Sequence, residues 1–335
     1  MAVKNAIASI ANHSRIIDSY GWARRQLTRS QVAILIYHRV CPQDESGHLR
    51  STAPDDFAKQ IKYFRQHYEI LSLESLSDYL RSGKRLPQKA IVITFDDGYK
   101  DNYLYAYPVL KTYDIPATVF LTTGYIGSDK LFWWDELTYA LYHTSAGKIS
   151  INGLMEFNLS SEKEREKVSQ QIIDKLKKLP EKVKDSLLDE LRSRLDVITP
   201  LSLRQNTLLD WDEIREMSNN SSVLFGAHSV NHPILTNIPL DEARREIVQS
   251  KHLLEREIGR DVTAFSYPNG FYNSDIMQIV QESGFSCAVA LTPRKLISAN
   301  NSPYNLPRMS VINFEKFKIM FSGLWGDLAK LGLDS

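Results

Sequence analysis

The stretch IVITFDDGYKDNY, residues 91–103, runs an apolar segment straight into two adjacent carboxylates, Asp96 and Asp97, followed by a glycine. Such a run, rich in β-branched residues and bounded by turn chemistry, reads as a strand buried on both faces, as parallel sheets require. Successive strand side chains point to opposite faces, so both acids address one site only if the chain turns there, which Gly98 permits. In a β/α barrel the polar residues at the C-terminal ends of the strands face the active site. The plainer alternative, that one acid caps the next helix, needs only one of the two.

The same pattern repeats on either side of this stretch. Apolar runs at VAILIYH (32–38), ATVFLT (117–122), SVLFGAH (222–228), TAFSYP (263–268) and CAVAL (287–291) read as further buried strands. Helical spacing and caps fall between them, in DDFAKQIKYFRQHY (55–68), NYLYAYPVLKTY (102–113), LDEARREIVQSKHLLEREIG (240–259) and SDIMQIVQESG (274–284). Strand and helix alternate, which predicts an α/β fold, a barrel in preference to an open sheet. The alternation stops between residues 128 and 207, where FWWDELTYALYH and the charge-dense 161–195 predict a helical insertion, its charges forming a solvated face with (i, i+4) pairs. A lid is the sharper reading of this insertion, with Trp133 and Trp134 offering flat faces to a sugar ring. The barrel then comprises 31–127 and 208–320, with an N-terminal helical extension over 1–30 and a tail over 321–335.

Composition narrows the partners. With 335 residues, 43% of them hydrophobic and 24% charged, the chain is globular and long enough for a sizeable core. Lys and Arg number 41 against 40 acids, a formal charge of +1, so no global field draws it to nucleic acid or anionic membranes. Two cysteines, Cys41 and Cys287, make neither a disulfide framework nor a CxxC signature and read as reduced core residues. Residues 1–26 lack a secretory h-region, which predicts a cytoplasmic protein. Ile7, Ile10, Ile16 and Ile17 with Lys4, Arg15, Arg24, Arg25 and Arg29 allow residues 1–30 a peripheral contact at the inner membrane face, or a helix docked on the domain.

The second chemical signal is GAHSVNHP (226–233), again at a strand end, with His228 and His232 four apart. On a helical turn that spacing puts two imidazoles on one face, as in HxxxH zinc sites. Two histidines and one carboxylate leave coordination positions open, the mark of a catalytic metal site in which a bound water becomes acidic.

TFDDGY (94–99), HSVNH (228–232) and FSYPNG (265–270), in this order, resemble the polysaccharide deacetylase family with its NodB homology domain, carbohydrate esterase family 4. The resemblance covers roughly Val32 to Val311 apart from the insertion. It implies a distorted (β/α)7 barrel of the TIM type and hydrolysis of N-acetyl groups on amino sugars. It further implies Asp96 as catalytic base, Asp97, His228 and His232 as ligands of a divalent metal (zinc, with cobalt or nickel as substitutes), and Tyr267, Pro268 and Asn269 as the substrate and oxyanion loop. Two family residues are absent: the arginine before the proline of the third motif, where Ser266 and Tyr267 stand, and a late LxxH histidine. Circularly permuted members carry the acid histidine early in a tyrosine–histidine pair, and IYHRV (36–40) offers His38 at a strand end. Arg308, in NLPRMSV (305–311), is the substitute for the arginine.

The resulting expectation is a metal-dependent deacetylase in which Asp96 deprotonates water and His38 protonates the leaving amine. Its substrate would be an N-acetylated polysaccharide, oligosaccharide or lipid-linked sugar. Rival readings are an amidase acting on a non-sugar amide and a catalytically silent glycan-binding module, which has no need of all four residues.

Overall fold

Every side chain of Val32–Tyr37 (β1) and Ala90–Phe95 (β3) is buried, and the two strands pair in parallel along their length, Val32 opposite Ala90 through Tyr37 opposite Phe95. The computed structural model describes residues 32–42, 51–151, 155–219, 222–291, 296–311, 314, 315 and 318. The N-terminal extension over 1–30 and the tail over 321–335 lie outside them.

From β3 the sheet continues through Ala117–Leu121 (β4), Val223–Ala227 (β7), Ala264–Ser266 (β8), Cys287–Ala290 (β9) and Leu306–Ser310 (β10). β10 then pairs with β1, Arg308 opposite Ile34, and closes a seven-stranded parallel barrel whose strands follow one another in chain order. A short strand absent from the sequence reading, Glu69–Leu71 (β2), adds to the first half of β3. At three residues it is too short to show a period.

Alternation along the strands sorts the core into two layers. Ala33, Leu35, Tyr37, Ile91, Ile93 and Phe95 face outward onto helices such as Pro54–His67 (α1), whose Phe57, Ile61 and Phe64 they meet. Val32, Ile34, Ala90, Val92, Phe120, Ala264 and Leu306 form the separate inner cluster. The period of two carries that inner series upward from Val92 to Thr94 and Asp96, from Leu306 to Arg308, and from Ala264 to Ser266. Strand parity therefore aims Asp96, Ser266 and Arg308 at the barrel mouth.

Gly226 lets this layer close. It lies opposite Phe120, and a Cβ placed on it would stand 2.4 Å from Phe120 Cε1, 2.5 Å from Cδ1 and 2.9 Å from the Ala264 carbonyl. The Phe120 ring in turn lies under the Arg308 guanidinium at 5.7 Å. Gly226→Ala is expected to destabilise the fold by about 1–3 kcal/mol through overpacking, read as a lower midpoint in urea unfolding at unchanged slope.

The remaining helices of the barrel are Leu73–Ser82 (α2), Tyr107–Tyr113 (α3), Trp211–Ser218 (α8), Leu240–Ile258 (α9) and Ser274–Glu282 (α10). Residues 102–113 do not form one regular helix, since a π turn over Asn102–Ala106 precedes α3. Pro108 lacks the N–H that would bond the carbonyl four residues back, and the ladder widens ahead of it. The insertion holds Trp133–His143 (α4), Glu162–Leu176 (α5), Glu181–Leu195 (α6) and Leu201–Thr207 (α7). It also contains an antiparallel pair, Lys148–Ile151 (β5) with Met155–Asn158 (β6), where only helix was expected. Four-residue strands that pair only with each other leave too short a pattern to read. Leu141, Ile149, Leu159, Ile172, Leu188 and Leu191 give the insertion a core of its own.

Candidate metal and active site

At the top of β3 the chain turns through two left-handed residues, Asp97 (φ 76) and Gly98 (φ 81). A Cβ on Gly98 would meet Leu121 Cδ2 at 2.8 Å, so glycine serves here for space as well as angle. The turn is what brings the second acid round to the first: Asp96 points inward by parity, and Asp97 joins it only because the strand has ended.

His228 follows β7 with inward parity and lies on the same mouth. The HxxxH segment is not a helical turn, as its spacing suggested. It is a loop with Ser229 (φ 62) and His232 (φ 57) left-handed, held by Glu246, whose carboxylate accepts the Val230 and Asn231 amides at 2.8 Å each. Non-glycine residues in that region are strained, and such strain collects at functional sites.

The three groups meet. His228 Nε2 and His232 Nε2 each lie 3.5 Å from Asp97 Oδ1, and candidate donor atoms of the three residues fall within 4.8 Å of one another, all buried. A separation of 3.5 Å is long for a charged hydrogen bond. It suits two ligands sharing one ion: bonds of about 2.0–2.1 Å at near-tetrahedral angles put donor atoms roughly 3.4 Å apart. His228 Nδ1 donates to the Ser266 carbonyl at 2.7 Å, which leaves Nε2 as the nitrogen facing Asp97. Burial lowers the His228 pKa, but the Asp96 charge and the contacts with Asp97 and Ser266 outweigh it and raise it, so Nε2 gives up a proton when it takes a metal. His232 lies edge-on to Trp134 at 4.9 Å and Phe132 at 5.7 Å, and its buried Nδ1 has no hydrogen-bond partner among the described residues. Burial and the neighbouring His228 charge push its pKa down to about 3, keeping it neutral as a ligand must be. The donor set fits a divalent metal.

Asp96 has a different set of partners. Arg308 forks onto it, Nη1 to Oδ1 and Nη2 to Oδ2, both at 2.6 Å. Ser266 Oγ accepts from Arg308 Nη2 at 2.9 Å and donates to Asp96 Oδ2 at 3.2 Å. Burial raises the pKa of Asp96, but the Arg308 and His228 charges and the Arg308 hydrogen bonds outweigh it and hold the carboxyl well below the usual range. Asp97 is lowered too, burial again opposed, here foremost by its contact with the protonated His228. Two ionised carboxylates thus stand side by side with separate roles.

A cavity of about 610 Å³ opens over these groups, and His38, exposed at the end of β1, lines it with Asp96, Asp97, His228 and His232. The Asn102 side chain donates to the His38 carbonyl at 2.9 Å and fixes the backbone there. Asn269 lines the cavity in a left-handed conformation (φ 55). Pro268 is buried, and neither it nor Tyr267 lines the cavity. The Tyr267 ring stacks on Tyr272, with its hydroxyl donating to the Tyr304 carbonyl at 3.0 Å. Trp134 reaches the cavity, while Trp133 packs into the insertion core beneath the Lys184 ammonium.

Several parts of the site were not singled out from the sequence. Ser266 bridges acid and arginine. Tyr99 takes the Trp134 indole N–H at 2.9 Å and donates to Asp135 at 3.1 Å, tying the insertion to the turn that carries Asp97. Burial, with help from the Asp97 and Asp101 charges, raises Asp135 to about 7 against the Arg39 charge and the Tyr99 hydrogen bond. Arg39 pairs with Asp101 at 2.7 Å and lies over the Tyr99 ring. Tyr99 and Asp101 lie inside the 91–103 stretch, which was the available signal; Asp135 shows only as one acid of a helix start.

A parallel barrel that holds a buried, open Asp/His/His cluster beside an arginine-bound carboxylate defines a metal-dependent hydrolase. The chain belongs to the polysaccharide deacetylase family, which it matches over residues 83–288, and it is a hydrolase of carbon–nitrogen bonds that removes N-acetyl groups from carbohydrate. It is 25% identical over 298 residues to the poly-β-1,6-N-acetyl-D-glucosamine N-deacetylase of Staphylococcus epidermidis, covering 85% of this chain and 80% of that protein. Among solved structures, the Streptococcus pyogenes deacetylase PplD in complex with acetate superposes with a TM-score of 0.58 at 22% identity, covering 88% of this chain and 99% of that one. IcaB from Ammonifex degensii gives the same TM-score and coverage at 19% identity. At these identities the two structures speak to the fold.

Proposed function

We propose that this chain deacetylates N-acetylglucosamine units of a β-linked glycan or of its lipid-linked precursor, with Asp97, His228 and His232 holding zinc, cobalt or nickel. The observation that carries the reading is the separation of duties between the two acids: Asp97 stands at ligand distance from both imidazoles, while Asp96 is taken up by Arg308 and Ser266. A divalent ion held there supplies Lewis acidity to the acetyl carbonyl and lowers the pKa of water.

The chain's own groups do the rest. Asp96, ionised at neutral pH, accepts the proton of the attacking water, and Arg308 keeps its carboxylate fixed and charged. Asn269, in its left-handed turn, presents backbone to the developing oxyanion. His38, on the same cavity, delivers a proton to the amide nitrogen, because an amide anion is too basic to leave. The products are acetate and a free amino sugar.

The reading extends to a cytoplasmic enzyme working on glycan made inside the cell, in keeping with two buried, unpaired thiols, Cys41 and Cys287. Cell fractionation that finds the protein outside the cytoplasmic membrane removes that part.

The test of the whole is acetate release by metal-loaded protein from N-acetylglucosamine oligomers, lipid-linked N-acetyl sugars and cyclic ureides, with metal content measured in parallel. Acetate from the sugars and one divalent ion per chain is the expected result. Turnover of the ureides alone, or sugar binding without turnover under any of the three metals, overturns it.

A further inference from the structure

The insertion turns one stripe of α5 and the turn after it toward the cavity: Gln170, Ile173, Asp174, Lys177 and Lys178 all line it. Spacings of three and four place these five on a single helix face. A helix face turned to a neighbour is ordinarily apolar, and here only Ile173 is.

Two of the polar members satisfy each other, Gln170 Nε2 donating to Asp174 Oδ1 at 2.9 Å. The other cations of the cavity are committed, Arg308 to Asp96 and Arg39 to Asp101. Lys177 and Lys178 have no ion pair or side-chain hydrogen bond among the described residues. Lys177 is partly buried, and burial lowers its pKa against the opposing charges of Asp97 and Asp174. Its charge reaches His232 in return. A lysine past a helix C-terminus answers the helix dipole wherever its side chain points. The dipole does not explain two lysines lining a catalytic cavity, one of them partly desolvated, where Asp174 is already taken up by Gln170 and Asp97 by the two imidazoles, so that neither lysine is ion-paired among the described residues.

We propose that Lys177 and Lys178 form a subsite for an anionic group, phosphate or carboxylate, carried by the glycan next to the N-acetyl sugar that is deacetylated. The inference rests on the deacetylase reading for the position of that sugar. It also gives the insertion a role, since the barrel supplies the chemistry and the helix laid over its mouth selects the acidic substrate.

The experiment compares kcat/KM for acetate release from an N-acetylglucosamine disaccharide, its 1-phosphate, and a disaccharide in which N-acetylglucosamine is joined to a uronic acid. Wild-type protein is expected to prefer an anionic substrate over the neutral one by about tenfold or more, chiefly in KM, with the preference shrinking as salt rises. In the double variant Lys177→Gln/Lys178→Gln the ratio should fall toward one, and Lys177→Arg/Lys178→Arg should keep most of it. Preference for the phosphate or the uronate alone identifies the source of the anion.

Equal or reversed preference in the wild type, or a preference that survives both glutamines, overturns the subsite. Calorimetric binding of the same three sugars to metal-loaded protein separates the subsite from the activity. Lysine-dependent, salt-sensitive tightening on an anionic sugar with no acetate from any of them sinks the deacetylation reading and leaves the subsite standing. Acetate release with equal affinity for all three does the reverse.

Discussion

Asp96→Asn should lower kcat for acetate release by roughly 10²–10⁴, the range a positioned general base contributes, while the protein keeps its metal. The substitution preserves shape and removes the charge that accepts the proton. Metal content should hold because Asp97, His228 and His232 form the cluster at ligand spacing and Asp96 lies outside it, its Oδ2 3.8 Å from His228 Nε2. Loss of the charge also leaves Arg308 without its counter-ion, so the variant should unfold at lower urea than wild type. The measurement is steady-state acetate release alongside elemental analysis of the same preparation. A variant with wild-type kcat refutes the base assignment, and one that loses its metal moves Asp96 into the ligand set.

The sequence shows the site more readily than the architecture that surrounds it. Asp96, Asp97 and His228 sit at the ends of apolar runs long enough to register as strands, and inner-face parity at β3, β7, β8 and β10 then brings Asp96, His228, Ser266 and Arg308 to one mouth. Parity is a local property, so it survives without knowledge of the fold. Three things were hidden because they are not local. The HxxxH spacing fits a helix equally well, and the loop that replaces it depends on Glu246 accepting the Val230 and Asn231 amides from 16 and 15 residues further on. Arg308 was reached only through the family resemblance, and its two-point fork on Asp96, 212 residues away, depends on barrel closure, which sets β10 against β1. The charge run of the insertion reads most simply as a solvated face, and although a lid was the sharper reading, composition does not reveal which residues of the helix meet the cavity.

Arg308→Leu isolates the closure that joins those strands. Among the influences on Asp96, burial is the largest and acts to raise its pKa, while the arginine is the foremost opposing one. Without the guanidinium the carboxyl pKa must rise, so the acid limb of the pH–rate profile should move to higher pH and much of the lost rate should return as pH increases. The wild-type carboxyl, depressed below its unfolded value near 3.9, contributes stability that is present above that pH and is lost as pH falls through the folded value. In the variant the folded pKa moves up from its depressed position, so that contribution above the unfolded value is reduced or lost. The difference between the two proteins should therefore be greatest at neutral pH, about 3–5 kcal/mol for breaking a buried pair, and should narrow in acid. Arg308→Lys should restore charge without the fork and recover only part of both effects. Urea unfolding at pH 7 and pH 4, read beside the pH–rate profile, decides the matter: an unmoved acid limb with full neutral-pH stability would mean that Arg308 neither charges nor positions the base.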